Sequence, residues 1–190
     1  MFRLWAILIG YIFGCFQTSF FLGKLYKIDI REHGSGNAGF TNANRVLGKK
    51  IGAIVFIADI LKSIIAYFLC VSMFKNQLAG IWAGFGVILG HDFPFFLKFR
   101  GGKGIAASIG LIMAYNWHLA IIAYILGIAA VVVSHKISVG SLIFISSLPF
   151  VFFKSGIEII FLFIAMAILA FWQHRFNIKR ILNHEEPNFY

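Results

Sequence analysis

The chain has 190 residues, of which 60% are hydrophobic and 13% are Asp, Glu, Lys or Arg, and its formal net charge at pH 7 is +10. Soluble globular domains carry about twice that share of charged residues. The composition therefore excludes an ordinary water-soluble domain and indicates an integral membrane protein. Because the longest polar segment, 24–50, is too short to form a domain, we predict one membrane-embedded domain over residues 1–190.

Seven apolar stretches follow one another along the chain, and we interpret them as helices that cross about 30 Å of hydrocarbon. They cover 4–23, 51–74, 78–96, 105–115, 117–134, 138–153 and 157–173. None shows the alternation of polar and apolar residues that is typical of membrane β-strands. The predicted fold class is therefore all-α, a polytopic helical bundle with about seven transmembrane helices. The stretch 105–115 is too short to cross alone, so five or six crossings remain possible.

The cations indicate how the helices are oriented. With seven spans, the segments 24–50, 97–104, 134–138 and the tail from residue 174 lie on one side, and they contain thirteen of the seventeen Lys and Arg residues. By the positive-inside rule this side is cytoplasmic and the amino terminus is outside. An alternative interpretation is that these cations only mark topology and contact lipid headgroups.

Two connections on the cation-rich side have an unusual composition. The first reads "HGSGNAGFTNANRVLGKK" from His33 to Lys50, and the second reads "FRGGKG". Glycine lets backbone N–H groups approach an anion closely, and hydroxyls, a fixed cation and the start of a helix complete a phosphate-binding loop. Either loop alone could equally be a set of tight turns. Together, two such loops on one membrane face favour an anionic ligand between them.

Several other chemistries fit the sequence poorly. Gly104 stands where a nucleotide-binding P-loop needs Ser or Thr. The seven acidic residues are scattered, so we predict no metal site and no cofactor. We assign no chemistry to Cys15 and Cys70, which fall inside predicted spans. Asp59 and Lys62 lie mid-span at i, i+3 spacing, which allows them to neutralise each other; alternatively, one of them reaches a site from beneath.

Three stretches resemble one known family. "SGNAGFTNANRVLG", "GHDFPFFLKFRGGKG" and "HRFNIKRILNHEE" are similar to the signature motifs of the bacterial acyl-phosphate:glycerol-3-phosphate acyltransferases, in the same order and at suitable spacing. "ADILKS" and "KISVGSL" add smaller matches, so the resemblance extends over essentially the whole chain. One departure is His184, which stands where the family usually has glycine.

The resemblance implies an enzyme of phospholipid biosynthesis in the bacterial cytoplasmic membrane. Its members transfer a fatty acyl group from acyl phosphate to the first hydroxyl of glycerol 3-phosphate, giving lysophosphatidate and inorganic phosphate. They have seven membrane-spanning helices and an active site that faces the cytoplasm. The implied partners are these two substrates and membrane lipid, and nucleic acid is not among them. Whether the enzyme that makes the donor hands it over by direct contact stays open.

The resemblance also implies which residues form the site. The implied catalytic residues are Ser35, Arg45, His174 and Asn177. The implied substrate-binding residues are Gly36, Asn37, Thr41, Asn42, His91, Gly101, Gly102, Lys103 and Ser141. The spacing of His174 and Asn177 predicts that both lie on one face of the last helix. Whether His174 is a general base or orients a phosphate stays open, and Asn37 and Asn42 could instead only shape turns. We expect Arg180 and Glu186 to hold the tail in place.

Two other function classes are compatible with apolar helices and basic loops. A small membrane transporter for a phosphorylated metabolite would need both, although we find no internal repeat or midplane polar cluster of the kind that transporters show. A structural membrane subunit would tolerate the change Arg45→Ala. Formation of lysophosphatidate by purified protein in detergent distinguishes the enzyme from both.

Overall fold

The structure, a computed structural model, describes residues 1–189. Within this part of the chain the backbone forms α-helices and short 3₁₀ turns and no strand, as the predicted all-α class requires. The α-helices are α1 Phe2–Cys15, α2 Thr18–Leu25, α3 Phe40–Val46, α4 Lys49–Phe74, α5 Gln77–Asp92, α6 Ile105–Tyr115, α7 Trp117–Ser134, α8 Ile137–Val151, α9 Ile157–Gln173 and α10 Arg175–Leu182. The 3₁₀ turns are Ile30–Glu32 and Phe95–Leu97. The chain divides into two compact units, Met1–Tyr115 and the part that begins at Asn116.

Within residues 1–189, four stretches are long and apolar enough to cross a membrane: Phe2–Leu25, Lys49–Phe74, Gln77–Leu97 and Trp117–Ser134. The pair α9 and α10, bent by 61°, makes a fifth if it counts as one span. The helices α6 and α8 are apolar but shorter. Each of the seven predicted stretches therefore contains an α-helix in the structure, whereas the number of crossings stays a prediction.

In the first unit, small residues let α1 and α5 approach closely. A Cβ atom added to Gly10 or Gly14 would collide with backbone carbonyls of α5, and one added to Gly86 or Gly90 would collide with backbone carbonyls of α1. Both helices thus carry a glycine pair at i, i+4 spacing, the arrangement by which helices associate within lipid. The contact places the end of α5 next to the end of α1.

The first predicted span, 4–23, is not one continuous helix, because the chain breaks between α1 and α2. Gln17 stands in the break and is fully buried. Its amide nitrogen donates to the carbonyl of Gly14 at 3.2 Å and to that of His91 at 2.9 Å. Lys62 of α4 donates to the carbonyl of Phe16 at 3.1 Å. These side chains satisfy backbone groups that the broken helix leaves without partners.

The charged pair within α4 is neutralised as predicted. The ammonium nitrogen of Lys62 lies 2.8 Å from a carboxylate oxygen of Asp59, and both side chains are buried. The interpretation of this pair as an ion pair is confirmed. The two cysteines, Cys15 and Cys70, are buried free thiols.

In the second unit, α7 packs on α8, and α8 packs on α9. The first of these contacts again depends on small residues, since a Cβ atom added to Gly140 would lie 2.6 Å from the carbonyl oxygen of Gly127. The helices α9 and α10 meet at His174, whose carbonyl accepts a hydrogen bond from the amide of Ile178 at 2.8 Å and so begins α10. The tail then returns toward α8, and the amide of Phe189 donates to the carbonyl of His135 at 2.8 Å.

Candidate active site

The first glycine-rich loop is held in shape by one buried side chain of α3. Asn42 is 1% exposed, and its oxygen accepts the backbone N–H of Ser35 at 2.8 Å. Its nitrogen donates to the carbonyls of Ile30 at 2.9 Å and of His33 at 3.0 Å. Gly34, at φ 61°, has no room for a side chain, because a Cβ atom there would collide with the Asn42 oxygen. In the structure Asn42 therefore makes the contacts of a residue that shapes a turn, as the alternative interpretation expects.

Two of the predicted catalytic residues of this loop are accessible. Ser35 and Arg45 are both exposed. Neither the Ser35 hydroxyl nor the Arg45 guanidinium is hydrogen-bonded or ion-paired to another residue in the described part of the chain. Asn37 and Thr41 are half-buried, and Gly36 is exposed with φ 70°. The loop therefore presents a hydroxyl and a guanidinium, the donors that a phosphate group accepts.

The second loop lies directly on the end of α5. The amide of Gly101 donates to the carbonyl of Asp92 at 3.1 Å, and the amide of Gly102 donates to that of His91 at 2.9 Å. Side chains cannot be accommodated at either glycine, since a Cβ on Gly101 would collide with the His91 carbonyl and one on Gly102 with the His91 ring. Lys103 follows, half-buried, two residues before α6 begins at Ile105.

The structure brings the two loops into contact. The amide of Ala38 donates to the carbonyl of Gly101 at 3.2 Å, and the guanidinium of Arg31 donates to the carbonyl of Leu97 at 3.1 Å. Arg31 is itself fixed by Asp29, which it binds through two side-chain hydrogen bonds of 3.0 and 2.7 Å. These hydrogen bonds hold the pKa of the Asp29 carboxyl below its ordinary value, although burial acts in the opposite direction. The backbones of the two loops thus meet within the first unit, and a hydrogen bond between the segments next to them adds to this contact.

His91, a predicted substrate-binding residue, lies beneath the second loop and is only 3% exposed. Its Nδ1 atom is 2.8 Å from the ammonium nitrogen of Lys62. The sequence pattern indicated that His91 is near the glycines but not that a loop covers it. The contact with Lys62, 29 residues earlier, was missed, although "ADILKS" was among the matched segments.

The second unit contains the remaining predicted residues. His174 is buried, and its Nδ1 atom lies 2.8 Å from the carbonyl oxygen of Ala170. Since a carbonyl only accepts, Nδ1 carries the proton in this contact. The expectation that His174 and Asn177 share one face of the last helix stays a prediction; the chain bends by 61° between α9 and α10, and His174 stands at this bend, directly before α10. The backbone N–H groups in the first turn of α10 point toward His174, where α9 ends and the new helix begins. Ser141 donates to the carbonyl of Ile137 at 2.9 Å, within its own helix.

Asn177 belongs to a buried cluster around Glu186. One carboxylate oxygen of Glu186 accepts from Ser138 and from Asn177, both at 2.7 Å, and the other accepts from Arg180 at 2.7 Å. Burial by itself would raise the pKa of Glu186, but these three hydrogen bonds together lower it below the ordinary value. The prediction that Arg180 and Glu186 hold the tail is confirmed. Ser138 was missed, and its place one turn before Ser141 in "KISVGSL" was the available signal.

The turn that contains the unusual histidine is also defined. His184 has φ 59°, a left-handed conformation that glycine adopts without strain and other residues rarely adopt. Histidine therefore adopts at this turn a backbone conformation that favours glycine.

Comparisons with known proteins place the chain among integral membrane acyltransferases. The family described as glycerol-3-phosphate acyltransferase matches residues 4–184. A glycerol-3-phosphate acyltransferase of Thermoanaerobacter pseudethanolicus is 43% identical over 96% of this chain and 93% of its own length. One of Listeria monocytogenes is 40% identical over 95% of this chain and 93% of its own length.

A solved structure is similar over almost the full length. It is the crystal structure of PlsY (YgiH), an integral membrane glycerol 3-phosphate acyltransferase, in its glycerol 3-phosphate form. The TM-score is 0.91 at 31% identity, covering 99% of this chain and 96% of that one. The two glycine-rich loops and the apolar helices are therefore those of a membrane-embedded acyltransferase fold. The chain belongs to the glycerol-3-phosphate acyltransferase family.

Proposed function

We propose that this protein transfers a fatty acyl group from acyl phosphate to the sn-1 hydroxyl of glycerol 3-phosphate, giving lysophosphatidate and inorganic phosphate. The observation that carries the proposal is the contact between two loops that each bear phosphate-binding chemistry, made through Ala38 and Gly101. One loop presents the exposed Ser35 and Arg45, and the other places Lys103 next to two glycines. Membership of the family supports glycerol 3-phosphate as the acceptor. The acyl phosphate donor is supported by the three sequence motifs.

The reaction makes modest demands on the protein. The acyl carbon is already activated by its bond to phosphate, so the site has to align the acceptor oxygen with that carbon and stabilise negative charge. A bond forms between the glycerol oxygen and the acyl carbon, the bond from that carbon to the phosphate oxygen breaks, and the hydroxyl proton passes to a phosphate oxygen. Hydrogen-bond donors serve this chemistry better than strong bases do.

The residues of the first unit have distinct roles in this proposal. Arg45 binds two phosphate oxygens at once through its planar guanidinium, which stays charged. Ser35 donates its hydroxyl to the developing oxyanion or the departing phosphate. Lys103 acts as a point charge on glycerol 3-phosphate, and the backbone at Gly101 and Gly102 allows the phosphate to approach closely. Gly36, Asn37, Thr41 and Asn42 support the first loop.

We assign roles to residues of the second unit from the third motif. His174 and Asn177 orient substrate, and Ser141 is a further donor. The hydrogen bond from Asn177 to Glu186 fixes the orientation of that amide. An apolar groove of about 400 Å³ lies between α8 and α9 and is lined by Ser146, Pro149, Ile164, Ala167, Ile168 and Phe171. Its chemistry suits a hydrocarbon chain.

The cation distribution supports a place in the bacterial cytoplasmic membrane with the active site facing the cytoplasm. The active site then takes up the acyl phosphate donor from the side of the membrane on which the donor is made. Contact with the enzyme that makes the donor is part of the proposal. Labelling of single-cysteine variants at positions 45 and 103 in sealed vesicles tests the placement. Both positions should react from the same side of the membrane.

A product assay tests the function. Purified protein in detergent is given glycerol 3-phosphate and, in parallel, acyl phosphate, acyl-CoA or acyl carrier protein thioester. We expect lysophosphatidate with acyl phosphate alone, without any sealed vesicle. Product from the thioesters only would refute the donor assignment. Uptake of a phosphorylated metabolite into vesicles without acyl transfer would favour a transporter.

A further inference from the structure

A buried cluster of ionisable side chains lies under the second loop of the first unit. Asp59 and Lys62 of α4 and His91 of α5 are 1%, 6% and 3% exposed. The ammonium nitrogen of Lys62 is 2.8 Å from Asp59 Oδ1 and 2.8 Å from His91 Nδ1. Ionisable groups at this depth are costly in a membrane protein and generally have a function.

The distances determine which nitrogen of His91 carries the proton. A lysine ammonium group can only donate hydrogen bonds, so Nδ1 of His91 must accept the one from Lys62. The alternative, donation from Nδ1 to the carboxylate of Asp59, would span 3.6 Å, which is too long for a hydrogen bond. The ring is therefore neutral with its proton on Nε2.

The Nε2 edge of the same ring faces the second loop. A Cβ atom added to Gly102 would collide with His91 Nε2, so the ring lies directly against that glycine. The carbonyl of His91 accepts from the Gly102 amide at 2.9 Å and from the Gln17 side chain at 2.9 Å. The ring and the backbone of His91 together determine where Gly102 lies, and Lys103 is the next residue.

We propose that Lys62 is a positioning residue for the second loop, acting through His91. Its hydrogen bond selects the tautomer of His91 and fixes the ring against Gly102. Its ion pair with Asp59 compensates the charge of the ammonium group in an apolar environment. This inference rests on the proposed function, because it assigns the second loop to glycerol 3-phosphate.

Lys62 makes more contacts than its ion pair with Asp59 requires. Asp59 and Lys62 could neutralise each other within α4 without any contact to α5. Lys62 also donates to the carbonyl of Phe16 at 3.1 Å, with Gly14 at 3.4 Å, so the same ammonium group connects the end of α1 to the end of α5. The loop is thus fixed relative to the helices that support it.

The first test reads the protonation of His91 in the wild-type protein. Solution NMR of detergent-solubilised protein with ¹⁵N-labelled histidine reports the protonation of each ring nitrogen, and the variant His91→Gln identifies the His91 signals. We expect an unprotonated Nδ1 and a protonated Nε2. A protonated Nδ1 in His91 would overturn the proposal.

The second test is kinetic. Removing Lys62 alone would leave Asp59 buried and unpaired, so the double variant Asp59→Asn, Lys62→Met is used, which removes both charges together. We expect the KM for glycerol 3-phosphate to rise about tenfold, as the loss of a buried hydrogen bond implies, while the KM for acyl phosphate stays within about twofold. Ser63→Ala is the matched control. Ser63 is the next residue of α4, is fully buried, and its hydroxyl has no hydrogen-bond partner in the described part of the chain.

The outcomes separate this proposal from others. An unchanged KM for glycerol 3-phosphate in a folded double variant overturns it. A similar rise in both KM values, together with a lower kcat and a lower melting temperature, also overturns it, because that result indicates a role in folding alone. If the wild-type protein transfers no acyl group from acyl phosphate, the proposed function fails. In that case a calorimetric measurement of glycerol 3-phosphate binding, together with the tautomer measurement, still tests the positioning role of Lys62.

Discussion

The side-chain oxygen of Asn42 accepts the backbone N–H of Ser35 at 2.8 Å, so the first helix after the glycine-rich loop fixes the loop itself. The nitrogen of the same amide donates to two further carbonyls, those of Ile30 and His33. Asn42 makes these three bonds while almost completely buried. The position of the Ser35 hydroxyl therefore depends on a residue that is itself remote from solvent.

Replacing this amide with a carboxyl group tests the dependence. In Asn42→Asp the shape is kept, but an oxygen faces the carbonyls of Ile30 and His33 in place of a donor. We expect the free energy of unfolding to fall by about 1–3 kcal/mol, with a parallel loss of acyl transfer. Thermal unfolding and the product assay measure the two effects. Asn44→Asp on the same helix, half-buried and with no hydrogen bond of its amide within residues 1–189, should change neither.

Arg45 should be essential for activity but not for folding. Arg45→Ala removes an exposed side chain that no described residue binds, so the purified variant should keep the elution volume and melting temperature of the wild type. We expect activity to fall by about a hundredfold or more, as loss of a transition-state donor does. Arg45→Lys should restore part of the loss, because an ammonium group keeps the charge without the planar guanidinium. Full activity in Arg45→Ala would contradict its catalytic role, and Lys50→Ala, an exposed cation at the start of α4, is the control.

Gly102→Ala should displace the second loop. The added methyl group would occupy the position of the His91 ring, so either the ring or the loop must move. We expect a rise in the KM for glycerol 3-phosphate together with lower thermal stability. Gly156→Ala is the matched control: its φ of 97° makes any side chain strained, but among the described residues beyond its chain neighbours no atom lies within 4 Å of the added Cβ. A kinetic effect as large in the control would show that collision with His91 is not the cause.

Arg31 should couple the two loops. It donates to the carbonyl of Leu97 across the loop contact and also lies over the ring of Phe20, at 5.0 Å from its centroid. We expect Arg31→Ala to raise the KM for glycerol 3-phosphate, because the second loop loses a hydrogen bond to the first. Lys24→Ala removes another cation from the same ring, 4.8 Å from its centroid, without touching the second loop. Steady-state kinetics should therefore distinguish the two variants, and equal effects would assign the loss to the cation–π contact.

Glu186 predicts a pH dependence of stability. Its pKa is lower in the folded protein than the ordinary value of 4.5, so its ionised form stabilises the fold. This contribution is fully present above pH 4.5 and is lost as the pH falls through the folded-state pKa. The difference in melting temperature between the wild type and Glu186→Gln should be constant near neutral pH and shrink below pH 4.5. A difference that grows in acid would refute this sign.

The ends of a helix were predictable to the residue where a polar residue or a glycine stands on each side of an apolar stretch. The stretches 105–115, 117–134 and 157–173 coincide with α6, α7 and α9. The two loops were predictable because each combines several glycines with cationic and other polar residues in one short stretch that no apolar run interrupts. The break after α1 was not, because it depends on Gln17 binding a carbonyl 74 residues away. The bend at His174 was missed for a similar reason, since spacing alone assumes that a helix continues.

The break between α1 and α2 has a consequence for how the chain matures. Gln17 leaves the ribosome long before the residues that complete the junction. Lys62 follows Phe16 by 46 residues, and His91 follows Gln17 by 74 residues. Until those residues are synthesised, the first apolar segment contains carbonyl groups that lipid cannot solvate. We therefore expect the amino-terminal segment to remain in the translocation channel, or in contact with an insertion chaperone, until α5 emerges and the polar junction can close.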